Sequence, residues 1–278
     1  MPLSQSERAY IERGIELGIR SDGRSGLSMR RVRVVVGELP HSHGSARCVL
    51  GASDTEVLVS VKAELVSLQE DGRGAAAVPC VECAAQTLVG SSGGATEDSA
   101  LGCSLQALLG APGVLPLEAL VVVPGQWQWR LLVDALVLAD DGCALDAASV
   151  AAAAALRAAR LPALRVLRSG GPPPLPEVVE LELDDDPGAA WAVPCADTLP
   201  LALTMHFIRG NAIVDATAEE AVCSTASTCI GINRKGRVCF LQSSGRDGIP
   251  SQELGTAIAA SHKLAPVIFS FLEEAQMS

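Results

Sequence analysis

Polar and apolar residues alternate at helical spacing over residues 5–19, where Tyr10, Ile11, Ile15 and Ile19 predict a short leading helix. Arg30 to Gly37 is rich in valine and reads as a strand. Two further strands are predicted near 45–51 and 55–64, and the apolar stretch 76–88 predicts another. Gly90-Ser91-Ser92-Gly93-Gly94 reads as a loop. Thr96 then suits the N-cap of a helix running through Leu101, Leu105, Leu108 and Leu109, with Glu97 and Asp98 in the first turn, where the helix dipole favours acids. Trp127 to Leu138 reads as a strand, and Asp146 to Arg160 as an alanine-rich helix stopped by Pro162.

Gly170-Gly171-Pro172-Pro173-Pro174 and the acidic run from Asp184 to Gly188 punctuate the chain as a connector and a turn. Strand-like runs resume at Leu201–Phe207, Asn211–Val214, Ala226–Asn233 and Arg237–Gln242. A last helix is predicted from Gln252 to Glu274, with Pro266 expected to kink or divide it. The pattern gives a first half over about 1–168, a connector over about 169–190 and a second half over about 191–278, within one domain. Strands and helices in this order suit an α+β class, with helices packed on sheets.

Composition narrows the function. The chain has 278 residues, 49% of them hydrophobic, which is ample for a large core. Its net charge of −11 argues against autonomous nucleic-acid binding, which needs a basic footprint to release counterions. One Tyr, three Trp and four Phe argue against a base-stacking platform. No long uncharged apolar run predicts a membrane span, and the polar N-terminus lacks the apolar core of a signal peptide. Nine scattered cysteines read as reduced, buried small side chains of an intracellular protein.

Four ordered segments resemble the RNase PH family. They are Ile19-Arg20-Ser21-Asp22-Gly23-Arg24, then Gly44-Ser45-Ala46-Arg47 with Gly51 to Glu64, then Trp129-Arg130-Leu131-Leu132-Val133-Asp134 with Asp140-Asp141-Gly142, and last Val214-Asp215-Ala216-Thr217-Ala218-Glu219-Glu220. The resemblance implies an RNase PH-like α+β fold of two similar βαβα halves, of the ribosomal protein S5 domain 2-like kind. Within the family it is strongest to ring subunits of the eukaryotic RNA exosome. That implies partners: other RNase PH-like subunits in a hetero-oligomeric ring, cap proteins, and RNA passing through the assembled complex. It further implies a part in 3′-5′ RNA processing and degradation, rRNA maturation and mRNA turnover, in nucleus, nucleolus and cytoplasm, with no cofactor and no membrane.

The same family holds phosphorolytic exoribonucleases and inert scaffolds, so the catalytic positions decide between them. The resemblance implies a Gly-Thr-Arg element at the start of the central helix, whose arginine and helix N-terminus hold phosphate. Here that element is Cys143-Ala144-Leu145, and Leu145 carries neither charge nor donor. Active members carry two aspartates six positions apart; here they are Asp215 and Ala221. Gly93 to Leu109, where active members place RNA-tracking arginines, contains no Lys or Arg. A lone acid cannot do the work of the constellation, so a non-catalytic chain is expected, with an active phosphorolytic exoribonuclease as the alternative. Glu220 beside Ala221 is displaced by one residue and is expected to point elsewhere.

Other candidates are weaker. Gly90 to Gly94 fits a nucleophile pattern with Ser92, which would need Asp134 or Asp215 and His206 or His262 as partners on a parallel sheet. Cys80 and Cys83 lack a second ligand pair, so buried thiols are expected rather than a metal site. His41 and His43 are expected at a solvated hairpin tip. Arg47 and Lys62 are candidate RNA contacts, with a Lys62–Glu64 ion pair as the bland alternative. Arg24 is expected in a structural ion pair or at a turn.

Overall fold

A computed structural model describes residues 3–68, 80–88, 95–169, 178–184, 186–195, 197–246 and 248–276. The Gly90–Gly94 loop and Ser92 fall outside the described residues. The chain opens with α1 (Gln5–Glu16), then β1 (Val32–Val36), β2 (Gly44–Leu50), β3 (Thr55–Ser67) and β4 (Val81–Thr87). There follow α2 (Ala95–Leu109), α3 (Leu117–Leu120), β5 (Val121–Val123), β6 (Trp127–Ala139) and α4 (Ala144–Ala158). Four short strands come next: β7 (Arg160–Leu161), β8 (Leu164–Ser169), β9 (Val178–Leu183) and β10 (Trp191–Ala192). The second half holds β11 (Pro200–Ile208), β12 (Asn211–Val214), α5 (Ala218–Cys223), β13 (Ala226–Asn233), β14 (Val238–Gly245) and α6 (Ser251–Gln276).

Two sheets carry the fold. The first runs β1-β2-β3-β6-β4, with β5 also on β6. Its ladders are antiparallel except for β4 beside β6, a parallel pair that needs the crossover through α2. The second runs β12-β11-β13-β14 and is antiparallel throughout. Among the described strands only β4 and β6 pair in parallel, within an otherwise antiparallel sheet, which is not the parallel sheet that the hydrolase reading of Ser92 calls for.

Helix α4 stands between the sheets, packed on β2 and β3 on one side and on β11 on the other. Every residue from Asp146 to Leu156 is buried. Alanine suits this place twice: it has the highest helix propensity, and its small side chain lets both sheets come close. The approach is tight enough that a Cβ on Gly44 of β2 would stand 2.3 Å from the Ala155 carbonyl.

Helix α6 is long and apolar enough over Ser251–Glu274 to cross a membrane by length and composition. It instead lays Ala257, Ala260, Ala265, Ile268, Phe269 and Leu272 into the core, against β1 and β13. It continues through Pro266 as one helix rather than dividing there.

The outer edge of β4 is occupied by side chains of α2. Gln106 Oε1 accepts from the Cys83 N–H at 2.7 Å, and its Nε2 donates to the Val81 carbonyl at 2.9 Å. At the Thr87 end of β4, Asp98 Oδ1 accepts from the Thr87 hydroxyl at 2.6 Å.

Several expectations are corrected. Tyr10 and Ile19 are 76% and 63% exposed, and only Ile11 and Ile15 of that set are buried, against Ile208 and Ile213. Helix α2 begins at Ala95, so Thr96 lies inside its first turn rather than at the cap. Helix α4 starts two residues early and ends at Ala158, because Ala159 turns extended and Arg160 and Leu161 pair with β10. The connector contains β9, which forms a hairpin with β8; the alternation Val179-Glu180-Leu181-Glu182-Leu183 carries the strand signal. Helix α5 was not expected, although Thr217 and Glu220 form a reciprocal capping box at its start. Only Cys48, Cys195, Cys223 and Cys229 are buried; Cys80 and Cys83 are half-buried and Cys103 is exposed. His43 is half-buried and extends the sheet: its backbone N–H donates to Val61, and its Nδ1 accepts from the Ala63 N–H at 3.1 Å.

Candidate functional site

Residues 20–30, the turn before α4 and the loop from β12 to α5 meet in one buried ion cluster. Asp215 leaves β12 in the left-handed region (φ 51), which aspartate tolerates better than most residues, and its side chain is 1% exposed. The carboxylate accepts from the Arg30 backbone N–H at 2.7 Å, Arg30 Nε at 3.0 Å, Arg30 Nη2 at 2.7 Å and Arg24 Nη1 at 2.7 Å. Those four N–H donors fill the roughly four lone-pair sites of a carboxylate. Burial alone would raise the Asp215 pKa; hydrogen bonds and charge from Arg30, then Arg24, outweigh it and hold the group below the usual carboxylate range.

The arginines are tied in turn. Arg30 Nη1 and Nη2 donate to the Asp141 and Gly142 carbonyls at 3.2 and 3.1 Å, fixing the turn before α4. Thr55 Oγ1 donates to the same Gly142 carbonyl at 2.8 Å. Arg24 Nε donates to Asp22 Oδ2 at 2.6 Å, so the expected structural ion pair of Arg24 is present twice over. Arg20 grips Glu220 with two bonds of 3.0 and 2.6 Å and donates to the Val214 and Asp215 carbonyls. Glu220 is fully buried and also closes the capping box of α5, accepting from the Thr217 N–H at 3.0 Å. Its one-residue offset from Ala221 therefore places it in a structural bond of its own.

The predicted degenerate positions divide. Asp215 joins the cluster. Leu145, on the first turn of α4, is half-buried and packs on the main core. Ala221 lies on α5, its N–H donating to the Thr217 carbonyl. The backbone of residues 216–218 covers the turn before α4 so closely that a Cβ on Gly142 (φ 89) would stand 2.4 Å from the Ala216 carbonyl. Cys143 caps α4 in a left-handed conformation without a side-chain cap bond, and its thiol donates to that carbonyl at 3.6 Å. Burial, then the nearby Asp146 and Asp215, push this thiol well above its ordinary pKa, so it is no thiolate nucleophile.

Behind the cluster, Asp146 is buried and accepts from the Thr204 N–H at 2.8 Å and the Thr204 hydroxyl at 2.6 Å. Burial raises its pKa to about 7 against the pull of those bonds. His206, named as a triad partner for Ser92, is pushed down to about 4 by burial and meets Ser224 Oγ at 3.3 Å. Among the described residues, no group of three His, Cys, Asp or Glu side chains is arranged to hold a metal ion.

Arg47 and Lys62 both lie on the first sheet, on the face turned away from α4, apart from the cluster. Arg47 is held by Glu38 at 3.6 Å and by Glu56. Lys62 is exposed, and among the described residues it forms no ion pair. The Lys62–Glu64 pair is not formed, because Glu64 goes to Arg130 at 2.9 Å on the neighbouring strand. Arg20, Arg30, Glu220 and Thr55 were missed as site residues. The Thr217–Glu220 spacing of a capping box is the signal that could have found Glu220; no local pattern distinguishes the buried Arg30 from the adjacent Arg31.

Fold and cluster define an RNase PH-type chain whose buried carboxylate, Asp215, is locked in ion pairs. Two family models match: "3' exoribonuclease family, domain 1" over residues 28–162 and "3' exoribonuclease family, domain 2" over 198–263. The chain belongs to this family. It is 26% identical to the exosome complex component Rrp42 of Methanocella arvoryzae, over 99% of this chain and 98% of that protein. It is 29% identical to exosome complex component rrp42 of Schizosaccharomyces pombe, over 89% of this chain and 84% of that one. Among solved structures, a chain of the Archaeoglobus fulgidus exosome with RNA bound to the active site superposes with a TM-score of 0.77 at 23% identity, covering 95% of this chain and 96% of that chain. A chain of an archaeal exosome core does so at 0.75 and 22%, covering 96% of both chains. At such identities the superposition carries the fold.

Proposed function

We propose that this chain is a non-catalytic subunit of the RNA exosome core ring, supporting 3′-5′ RNA processing and degradation in nucleus, nucleolus and cytoplasm. The near full-length likeness to Rrp42 components supports the ring assignment. The observation that carries the inactive reading is the saturation of Asp215 by Arg24 and Arg30. A carboxylate so engaged has no lone pair left for a proton or a metal, and Leu145 and Ala221 replace its expected co-workers. The subunit acts by position: it forms a wall segment among RNase PH-like neighbours and cap proteins, and RNA passes through the assembly. Of the two candidate RNA contacts, Lys62 keeps its charge available, whereas Arg47 is already neutralised by Glu38 and Glu56.

The test is incubation of the purified chain with RNA and inorganic phosphate, beside the reconstituted ring. The expected result is no nucleoside diphosphate from the lone chain, and its incorporation into a hetero-oligomer. Diphosphate release by the pure chain would restore the alternative, an active phosphorolytic exoribonuclease.

A further inference from the structure

The turn between β13 and β14 concentrates positive charge on an otherwise acidic chain. Arg234, Lys235 and Arg237 stand within four residues, all exposed, against a net charge of −11. The turn is stiff: Asn233 Oδ1 accepts from the Arg237 N–H at 2.9 Å, and the Gly236 N–H bonds to the Asn233 carbonyl. Beside it, α6 contributes exposed His262, and a Cβ on Gly236 would lie 3.6 Å from His262 Nδ1. This corner belongs to the β14 edge of the second sheet, whereas the ion cluster of Asp215 adjoins β12 on the opposite edge.

Hairpin and helix enclose a cavity of about 270 Å³. Ile232, Ala265, Pro266 and Phe269 give it an apolar floor, and Arg234 and Glu273 pair across its rim. Pro266 has no N–H to offer the His262 carbonyl one turn earlier, so the wall carries a helix carbonyl without its usual donor. Among the described residues, Lys235 and Arg237 form no ion pair. An apolar hole with the uncommitted Lys235 and Arg237 beside it on the same turn matches one occupant chemistry. We propose that this corner docks an acidic peptide segment of a partner protein, with one large apolar side chain seated in the cavity and carboxylates on Lys235 and Arg237. RNA fits less well: Phe269 is 6% exposed and offers no stacking face, and a long polyanion meets more of the chain's net negative charge than a short peptide confined to this corner.

The test is fluorescence anisotropy of the full chain with a short labelled peptide of Asp and Glu around a central Leu. The same peptide with a central Ser and a labelled oligouridylate serve as comparisons. Saturable binding is expected at low salt, about tenfold weaker or more for the Leu-to-Ser peptide, which loses the burial of its apolar side chain. K235E/R237E should weaken it by about tenfold or more. Ser270→Trp, which fills the cavity from an exposed helix position, should do the same, with unchanged circular dichroism in both variants. Three results would overturn the proposal: no saturable peptide binding, binding indifferent to either variant, or oligouridylate binding more tightly than the peptide and being lost in K235E/R237E.

Discussion

Asp215→Ala separates a structural carboxylate from a catalytic one. The substitution removes the acceptor of four N–H groups and leaves the Arg30 guanidinium, 6% exposed, beside only backbone carbonyls, Thr55 and the half-exposed Asp141. Breaking a buried pair from one side costs about 3–5 kcal/mol, because the surviving charge is stranded. Alanine at φ 51 adds about 1 kcal/mol of backbone strain that aspartate and asparagine largely avoid. The total is about 4–6 kcal/mol. Asp215→Asn keeps the shape and the bond to the Arg30 N–H but loses the charge, so about half of that is expected. Urea unfolding followed by the fluorescence of Trp127, Trp129 and Trp191 reads these costs directly. Combining Asp215→Asn with Arg30→Met should recover about 1–3 kcal/mol relative to the sum of the single changes, as the orphaned charge disappears. A cost below about 1 kcal/mol for Asp215→Ala, or a cycle that is additive, would refute the cluster as a clasp. The depressed Asp215 pKa adds a signature: its contribution is present above pH 3.8 and is lost as pH falls through the lower folded value.

Asp146 gives the opposite pH response, since its pKa is raised from 3.8 to about 7. Its neutral form is the one the fold prefers, so that contribution is full below pH 3.8 and is lost as pH rises through about 7, up to roughly 4 kcal/mol by pH 8; in Asp146→Asn, urea midpoints should be nearly flat over this window. Leu145→Arg should not confer phosphorolysis, because the second acid and a basic track on α2 are also missing and such sites act as units; diphosphate release on thin-layer chromatography would contradict this. Ala152→Leu, at a position 1% exposed or less between the two sheets, should lower stability by about 1–3 kcal/mol through overpacking, read as a lower melting temperature.

Most elements with a clean period were legible in the chain. β1, β2, β3, β6, β11, β13 and α4 follow their hydrophobic patterns to within a few residues. Failures arose where two signals competed: β9 lost to the neighbouring Pro/Gly run, and α5 is too short for periodicity to register, so only its capping box could announce it. Of the site proposed as non-catalytic, Leu145 and Ala221 can be read directly from the sequence. What holds Asp215 was not legible. Its partners Arg24 and Arg30 lie 191 and 185 residues away in the chain, and nothing local tells a buried guanidinium from an exposed one.

The Gln106 amide on β4 bears on how the chain fares before it meets a partner. A primary amide carries an N–H and a carbonyl side by side, and here one of each is used, so at Val81 and Cys83 it stands in for a strand that would otherwise attach there. Half of β4 is therefore already answered from within the molecule, and the threonine–aspartate bond at Thr87 crowds its other end. A growing stack of identical sheets cannot start from that side. At β14, an outer strand of the second sheet, the residues from Leu241 to Gly245 are exposed. Of these two outer strands, one is answered from within and the other presents an exposed run, so β14 is the better placed of the two for pairing with another chain.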